Sequence, residues 1–325
     1  MAPPNSPSTQ TRGKFAPILL SILAVSMGFY ITQLVIVGRQ PCQHPEIHQL
    51  DQQKDVAARY DETADSFDSE VGTSEALMGI NRIRKRLSRQ CKGHVLEVSC
   101  GTGRNLGYYD LRPGSEIDSI TFLDLSAQMV EACKRKWASL YPASSTTATD
   151  FKPGLAIRFS TTSAVGPMPP APESENGNNN NGKYTTIFQT MGLCSTPTPQ
   201  DLLLNLSAHL DHSNPDSRIL LLEHGRSSYE WLNNILDNSA AKHAEIHGCW
   251  YNRDMGELVQ AAAEQSGLEV VDVWRKHLGT TWVFELRPSG KRAAVEEGKG
   301  VDGAVPSSSV SAEPASGWKG WFGLK

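Results

Sequence analysis

The sequence predicts an α/β fold, doubly wound: a mainly parallel sheet with helices on both faces, preceded by one membrane span. Three observations carry this expectation. Short strand-like runs recur from residue 94 to residue 286, helical stretches separate most of them, and an uncharged stretch of membrane-spanning length stands near the N-terminus. With 325 residues, 39% of them hydrophobic, the chain can fill a sizeable core.

Taken in order, residues 1–14 form a polar tail in which Arg12 and Lys14 stand without an acidic residue, in the manner of a very short mitochondrial presequence. Residues 15–38, FAPILLSILAVSMGFYITQLVIVG, contain no charge. As a helix rising about 1.5 Å per residue they exceed a hydrocarbon core of about 30 Å. A cleaved signal peptide fits less well, because the run is too long and no A-x-A site follows. A polar linker, 39–58, leads to the main domain, 59–288.

That domain begins with RYDETADSFDSEV and EALMGINRIRKRLSRQ, where Leu77, Ile80, Ile83 and Leu87 recur at helical spacing and predict one amphipathic helix. The strand-like runs follow: HVLEVS, SITFLDL, LAIRFS, YTTIFQT, SRILLLEH, LEVVDVW and TTWVFEL. Between them lie AQMVEACKRKWASL, QDLLLNLSAHL and RDMGELVQAAAEQ, which read as helices. Only RKHLG joins the last two strands, too short for a crossover helix, so that pair reads as an antiparallel hairpin. Residues 165–183, VGPMPPAPESENGNNNNGK, read as a disordered insertion, and 289–325 as a disordered tail whose WKGWFGLK terminus could rest on lipid.

Formal net charge is −4 and neither sign dominates a long stretch, so the basic footprint of a nucleic-acid binder is missing. The cysteines at 42, 91, 100, 133, 194 and 249 show no C-x-x-C and no Cys/His cluster at metal-ligand spacing. They read as free core thiols, and no metal is expected.

The chemistry is concentrated in residues 94–110, HVLEVSCGTGRNLGYYD. A glycine turn after a first strand lets backbone N–H groups approach an anion closely. Glu97, inside the strand, would repel a pyrophosphate but suits an ammonium, and the spacing to Gly107 fails the dinucleotide fingerprint G-x-G-x-x-G. Asp124 ends the second strand about twenty residues on, where a carboxylate can accept both hydroxyls of a ribose. Ser126 reads as the N-cap of the next helix.

These stretches, with YDETADSFDSEV, LEVSCGTGRN, FLDLSAQMV, FQTMGLCS, LLLEHGRS and HGCWYNRD, make the chain resemble the class I S-adenosylmethionine-dependent methyltransferases of the ubiquinone/menaquinone type. Within these it is similar to the fungal membrane-anchored mitochondrial family. The resemblance covers Arg59 to about Leu286. It implies a Rossmann-like seven-stranded sheet with an antiparallel last strand and S-adenosyl-L-methionine as cofactor. It also implies cofactor contacts at Glu97, Gly101, Gly103 and Asp124, with Tyr60 on a segment folding over the cofactor, and a place in the mitochondrial inner membrane. Two departures stand out. Ser99 replaces the first glycine of E-x-G-x-G-x-G, and Thr161, Thr162 and Ser163 stand where an acid usually meets the adenine.

Methyl transfer from a sulfonium is an in-line displacement, so positioning supplies much of the rate and a base is needed only if the acceptor keeps its proton. Gln189 and Thr190, at the end of the fourth strand, would orient the sulfonium or pack. His224, after the fifth strand, is a candidate base or a packing histidine, while Glu223 alternates to the other side and reads as structural. Asn252 reads as the N-cap of the last helix, with Trp250 and Tyr251 before it as an aromatic lid over an apolar acceptor. The expected acceptor is an apolar small molecule or lipid resembling a quinone precursor. A thiol or protein acceptor, or a non-catalytic membrane assembly factor with a vestigial site, are the alternatives.

Overall fold

In the computed structural model, which describes residues 12–142, 150–173 and 181–290, helix α1 (Arg12–Arg39) is followed by short 3-10 turns at Pro45–His48 and Leu50–Gln52. Three helices come next: α2 (Ala58–Thr63), α3 (Phe67–Leu77) and α4 (Ile80–Ser88). Then β1 (Gly93–Val98), β2 (Ile117–Asp124), α5 (Ala127–Leu140) and β3 (Ala156–Thr161) build one half of the sheet. The other half comprises β4 (Thr186–Thr190), α6 (Pro199–His209), β5 (Arg218–His224), α7 (Glu230–His247), α8 (Met255–Ser266), β6 (Leu268–Lys276) and β7 (Thr281–Pro288).

The seven strands lie in the order β3-β2-β1-β4-β5-β7-β6. Strands β1 to β5 pair in parallel, and β7 runs antiparallel to both β5 and β6. The expected fold is therefore the one observed, hairpin included. Because helices cover both faces, central strands are apolar on both sides and read as continuous runs rather than alternating ones. Leu96, Val98 and Leu221 pack on one face with Leu202 and Leu206 of α6 and Val259 of α8. Val95, Phe122, Leu220 and Leu222 pack on the other with Ile80, Ile83 and Leu87 of α4 and Cys133 of α5. Strand order reverses between β1 and β4, and such a switch point opens a crevice at the strands' carboxyl ends.

Four details differ from the sequence expectation. The single amphipathic helix is broken: α3 and α4 meet at Gly79, whose φ of 71° is left-handed, so Leu77 is turned out to 85% exposure while Ile80, Ile83 and Leu87 stay buried. The insertion packs where it is described, with Met168 and Ala171 buried and the carbonyls of Pro169 and Pro170 accepting from Tyr184 Oη and Arg158 Nη2. Residues 174–180 and the 291–325 tail lie outside the described residues. The 39–58 linker is also part of the domain: Ile47 packs with Ala240, Ala244 and Trp250. Finally, Asp254, not Asn252, caps α8, its carboxylate accepting from Glu257 N–H at 3.0 Å. Asn252 is buried and donates to Asp237.

Helix α1 contains the 23 residues Pro17–Arg39, whose most apolar 18-residue window has a mean hydropathy of 2.0 and is uncovered by the rest of the protein. Its last residues meet α7: Asn234 Nδ2 donates to the Gly38 carbonyl at 2.9 Å.

Candidate active site

The turn after β1 is held from the side by β2. Ser99 and Gly101 have φ of 53° and 52°, a left-handed backbone that glycine adopts freely and serine only under constraint. The constraint is visible. Gly101 N–H donates to Asp124 Oδ2 at 2.8 Å, Cys100 N–H to the Leu123 carbonyl at 3.0 Å, and Asp124 Oδ1 accepts from Ser126 N–H at 3.0 Å. Ser126 in turn caps α5, as expected, accepting from Met129 N–H. A Cβ on Gly101 would meet nothing within 4 Å, so open space stands over it; one on Gly103 would collide with Leu106 Cδ1 at 2.6 Å. Gly101 is the cradle and Gly103 the packing glycine. Burial raises the Asp124 carboxyl above its ordinary range, although three backbone N–H donors oppose the shift.

Glu97 corrects the sequence expectation. It is 1% exposed, and its carboxylate accepts from Asn105 Nδ2 at 2.9 Å and Tyr109 Oη at 2.5 Å. Burial pushes its pKa up to about 7 against those hydrogen bonds and the nearby Arg84. It therefore braces the glycine turn from beneath rather than offering a free carboxylate to an ammonium. Thr190 faces the same interior, accepting from Arg84 Nη1 at 2.7 Å. Its neighbour Gln189 points the other way: wholly buried, it donates to Ser99 Oγ at 3.3 Å while its Oε1 has no partner among the described residues.

Arg84 was not anticipated. It sits on α4 beside Ile80, Ile83 and Leu87 at helical spacing, which was the available signal, and its guanidinium joins Glu75, Asn105 and Thr190. A second cluster ties the N-terminal helices to the turn: Asp68 accepts from Thr102 Oγ1, Arg104 and Lys136, and Arg104 also pairs with Glu75. Despite burial, which opposes it, those donors hold Asp68 and Glu75 below the ordinary carboxylate range.

Tyr60 reaches the loop after β4 and the residue that caps the end of α7. Its hydroxyl donates to the Gly248 carbonyl at 2.9 Å and sits 2.7 Å from Ser195 Oγ. Burial raises its pKa well above the ordinary value, and repulsion from Cys194, Cys249 and Asp124, where these are ionised, adds to it. At the outer edge, Thr161 ends β3 opposite Asp124, and Thr162 and Ser163 follow it. Thr162 N–H donates to the Asp124 carbonyl at 2.9 Å, and its hydroxyl lies 2.9 Å from Ser160 Oγ.

At the carboxyl end of β5, His224 is half-buried with Nδ1 at 3.6 Å from Cys249 Sγ. Cys194, from the loop after β4, completes a group whose three side-chain donor atoms all lie within 4.8 Å of one another. The expectation of no Cys/His cluster thus fails in space, because residues 194, 224 and 249 come from three separate segments. Glu223 is structural, as expected: its carboxylate accepts from the N–H groups of Gly192 and Cys194 at 3.0 and 3.3 Å. The aromatic pair is no free lid. Trp250 is 4% exposed with Nε1 donating to the Lys54 carbonyl, and Tyr251 stacks on His243 at 3.9 Å while its hydroxyl meets Ser239. Arg253, also unforeseen, is buried and donates to Gln53 Oε1 and to the carbonyls of Leu193 and Thr196, latching the loop that carries Cys194.

Comparison with known proteins places the chain in a methyltransferase family. The profile of a methyltransferase-domain family matches residues 74–273. A curated relative, the mitochondrial methyltransferase OMS1 of Saccharomyces cerevisiae, is 39% identical over 237 residues, covering 73% of this chain and 47% of the relative. The chain thus spans about half the length of that relative. Among solved structures, the magnesium protoporphyrin IX methyltransferase of Synechocystis PCC 6803 with bound S-adenosylmethionine aligns with a TM-score of 0.43 at 11% identity, over 73% of this chain and 99% of that one. An S-adenosylmethionine-dependent methyltransferase from Clostridium acetobutylicum aligns with a TM-score of 0.43 at 10% identity, over 71% and 100%.

Proposed function

Since the chain belongs to the S-adenosylmethionine-dependent methyltransferases, we propose that it is a membrane-anchored, mitochondrial member that methylates an apolar small molecule or lipid resembling a quinone precursor. One observation carries the cofactor half: the open cradle over Gly101, tied to Asp124 at the switch point of the sheet.

The residues present suit the cofactor, which when bound supplies a methyl group on a sulfonium. Gly101 leaves room for its methionine end. Asp124 keeps free lone pairs for the ribose hydroxyls, since each carboxylate oxygen accepts more than one hydrogen bond. The unpartnered Gln189 Oε1 is a buried acceptor suited to the ammonium, taking the role the sequence assigned to Glu97. Thr162 and Ser163 offer hydroxyls where an acid usually meets adenine. Tyr60 separates this half from the acceptor side, where His224 stands.

Membrane anchoring is supported by α1 and by its surroundings. Tyr229 and Trp231 are 50% and 48% exposed at the start of α7, and a Cβ on Gly38 would meet the Trp231 carbonyl at 3.1 Å. Amphipathic rings beside the end of a span suit the headgroup level of a bilayer. Residues 225–229 lead directly from His224 to this point, so the acceptor side opens near the anchor.

Calorimetry of the full-length protein in detergent should show S-adenosylmethionine binding, weakened by about 1–3 kcal/mol in Asp124→Ala through unpaired buried hydroxyls. A folded wild-type protein that binds no cofactor would overturn the reading. Comparing lipids and metabolites of a deletion strain with wild type names the acceptor; an unmethylated apolar precursor should accumulate.

A further inference from the structure

The group formed by Cys194, His224 and Cys249 is unlike the other thiols of the protein. All three side chains project into one spot at the carboxyl ends of β4 and β5, from three segments fastened to one another. Glu223 accepts from Cys194 N–H, Trp250 N–H donates to the Cys194 carbonyl at 2.8 Å, and Arg253 clamps the carbonyls of Leu193 and Thr196. Such support holds donor atoms in place before anything binds them.

We propose that Cys194, His224 and Cys249 form a Cys2His site for a zinc-class divalent ion, whose fourth coordination position faces the methyl acceptor. The donor types are those of zinc sites, two thiolates and an imidazole. The spacing agrees as well. With metal–sulfur and metal–nitrogen bonds of about 2.3 and 2.0–2.1 Å, tetrahedral geometry puts sulfur and nitrogen about 3.5 Å apart. Cys249 Sγ and His224 Nδ1 are 3.6 Å apart, and every pair in the group lies within 4.8 Å. Three protein ligands leave one position open, the arrangement of catalytic rather than structural zinc.

A second group, Cys42, His48 and Asp237, shows what disqualifies a cluster. The Arg226 guanidinium already donates to Asp237 at 2.7 Å and lies 3.2 Å from His48 Nδ1, so an arriving cation would meet another cation.

For the reaction, which rests on the function proposed above, the ion replaces a free imidazole base. An acceptor carrying an acidic O–H or S–H binds the ion through that atom and releases its proton to solvent. The resulting anion's electron pair forms the bond to the methyl carbon. The carbon–sulfonium bond breaks, its electrons return to sulfur, and the neutral methylated product leaves the ion.

The test uses reduced, chelator-treated full-length protein titrated with Co2+ alone. One equivalent should bind, with sulfur-to-cobalt charge-transfer absorbance, and Zn2+ should displace it. Cys194→Ser, Cys249→Ser and His224→Ala should each weaken Co2+ binding by more than about 100-fold, beyond what loss of an outer-shell partner costs. His224→Cys should restore it with added charge-transfer intensity, and Cys42→Ser should leave it unchanged. Azide should shift the visible bands by entering the open position. Absence of Co2+ binding by folded wild-type protein, bands that survive in the Cys194→Ser/Cys249→Ser double variant, or loss of the bands in Cys42→Ser would each overturn the site. Cofactor calorimetry on the same samples separates this failure from failure of the methyltransferase reading, since metal titration requires neither cofactor nor acceptor.

Discussion

The two sides of the crevice are built in different ways. The proposed cofactor side comes from two consecutive strands: β1, the turn after it and the parallel neighbour β2 place Ser99, Gly101, Gly103 and Asp124 together. The acceptor side is assembled from the loop after β4, the end of β5, the segment between α7 and α8, and even the 39–58 stretch. A site made by local geometry tolerates change elsewhere. A site made by distant segments depends on everything that latches them.

The strongest way to break the comparison is Gly101→Arg. A long side chain would fill the cradle and strain a residue at φ 52°, so cofactor binding should vanish while the Cys194/His224/Cys249 side stays intact. Calorimetry reads this directly; near-normal affinity would show that the open space over Gly101 is not the cofactor site.

Next in size is the acceptor side's dependence on the 39–58 stretch. Removing residues 1–38 should leave a folded, soluble protein. Removing residues 1–58 should cost about 3–5 kcal/mol more, because Arg253 loses Gln53 and Trp250 loses Ile47 and the Lys54 carbonyl. Urea midpoints of the two truncations measure the difference, and equal stabilities would mean the stretch is merely a tether. By the same logic Trp250→Ala should lower stability rather than raise the acceptor's Michaelis constant alone.

A third comparison sets pH against two kinds of carboxyl, the buried Glu97 and the partly exposed, ion-paired Asp68 and Glu75. Glu97 has a folded pKa of about 7 against an ordinary 4.5, so the folded protein holds a proton the unfolded chain has released. Its contribution is therefore full below about pH 4.5 and declines as pH rises to about 7, by about 3 kcal/mol. Asp68 and Glu75 are depressed, so their contribution is present above their ordinary values and is lost as pH falls through the folded ones. Denaturation across pH should show both limbs, and Glu97→Gln should flatten only the upper one. A slope unchanged in Glu97→Gln would mean another group supplies that proton.

The smallest effect belongs to the adenine edge. Thr162→Val removes one hydroxyl but keeps the backbone bond to Asp124, so S-adenosylmethionine affinity should fall by about 1 kcal/mol or less. A larger loss would make Thr162 the functional replacement for the missing acid.

Strand runs, the hairpin, the glycine turn and the cap at Ser126 were all legible before the structure, because each depends on residues a few positions apart; Asp124 was legible because the next parallel strand brings it back beside the turn 23 residues earlier. Arg84 was within reach, being a charge on the apolar face of α4. Glu97 was read as a ligand contact because it stands near a strand end; the partners that take both its oxygens, Asn105 and Tyr109, lie eight and twelve residues on and fold back through the glycine turn, which spacing alone does not show. The break at Gly79 and the capture of residues 165–173 by Tyr184 and Arg158 could not be read from spacing or composition.

The chain by itself determined the strand and helix pattern, the glycine cradle with its carboxylate, and an apolar helix long enough to cross a membrane. Hydrophobic periodicity and backbone sterics act over one or two turns of chain, and only the pairing of the cradle with its carboxylate needs more, the pairing of β1 with the next strand. Tertiary structure alone decided which thiols meet His224, which residues latch the loop after β4, and that both oxygens of Glu97 are taken while Gln189 Oε1 has no partner among the described residues. Those choices follow from strand order and from which face each residue takes. Both are settled only when the sheet closes and segments as far apart as Gln53 and Arg253 are packed together.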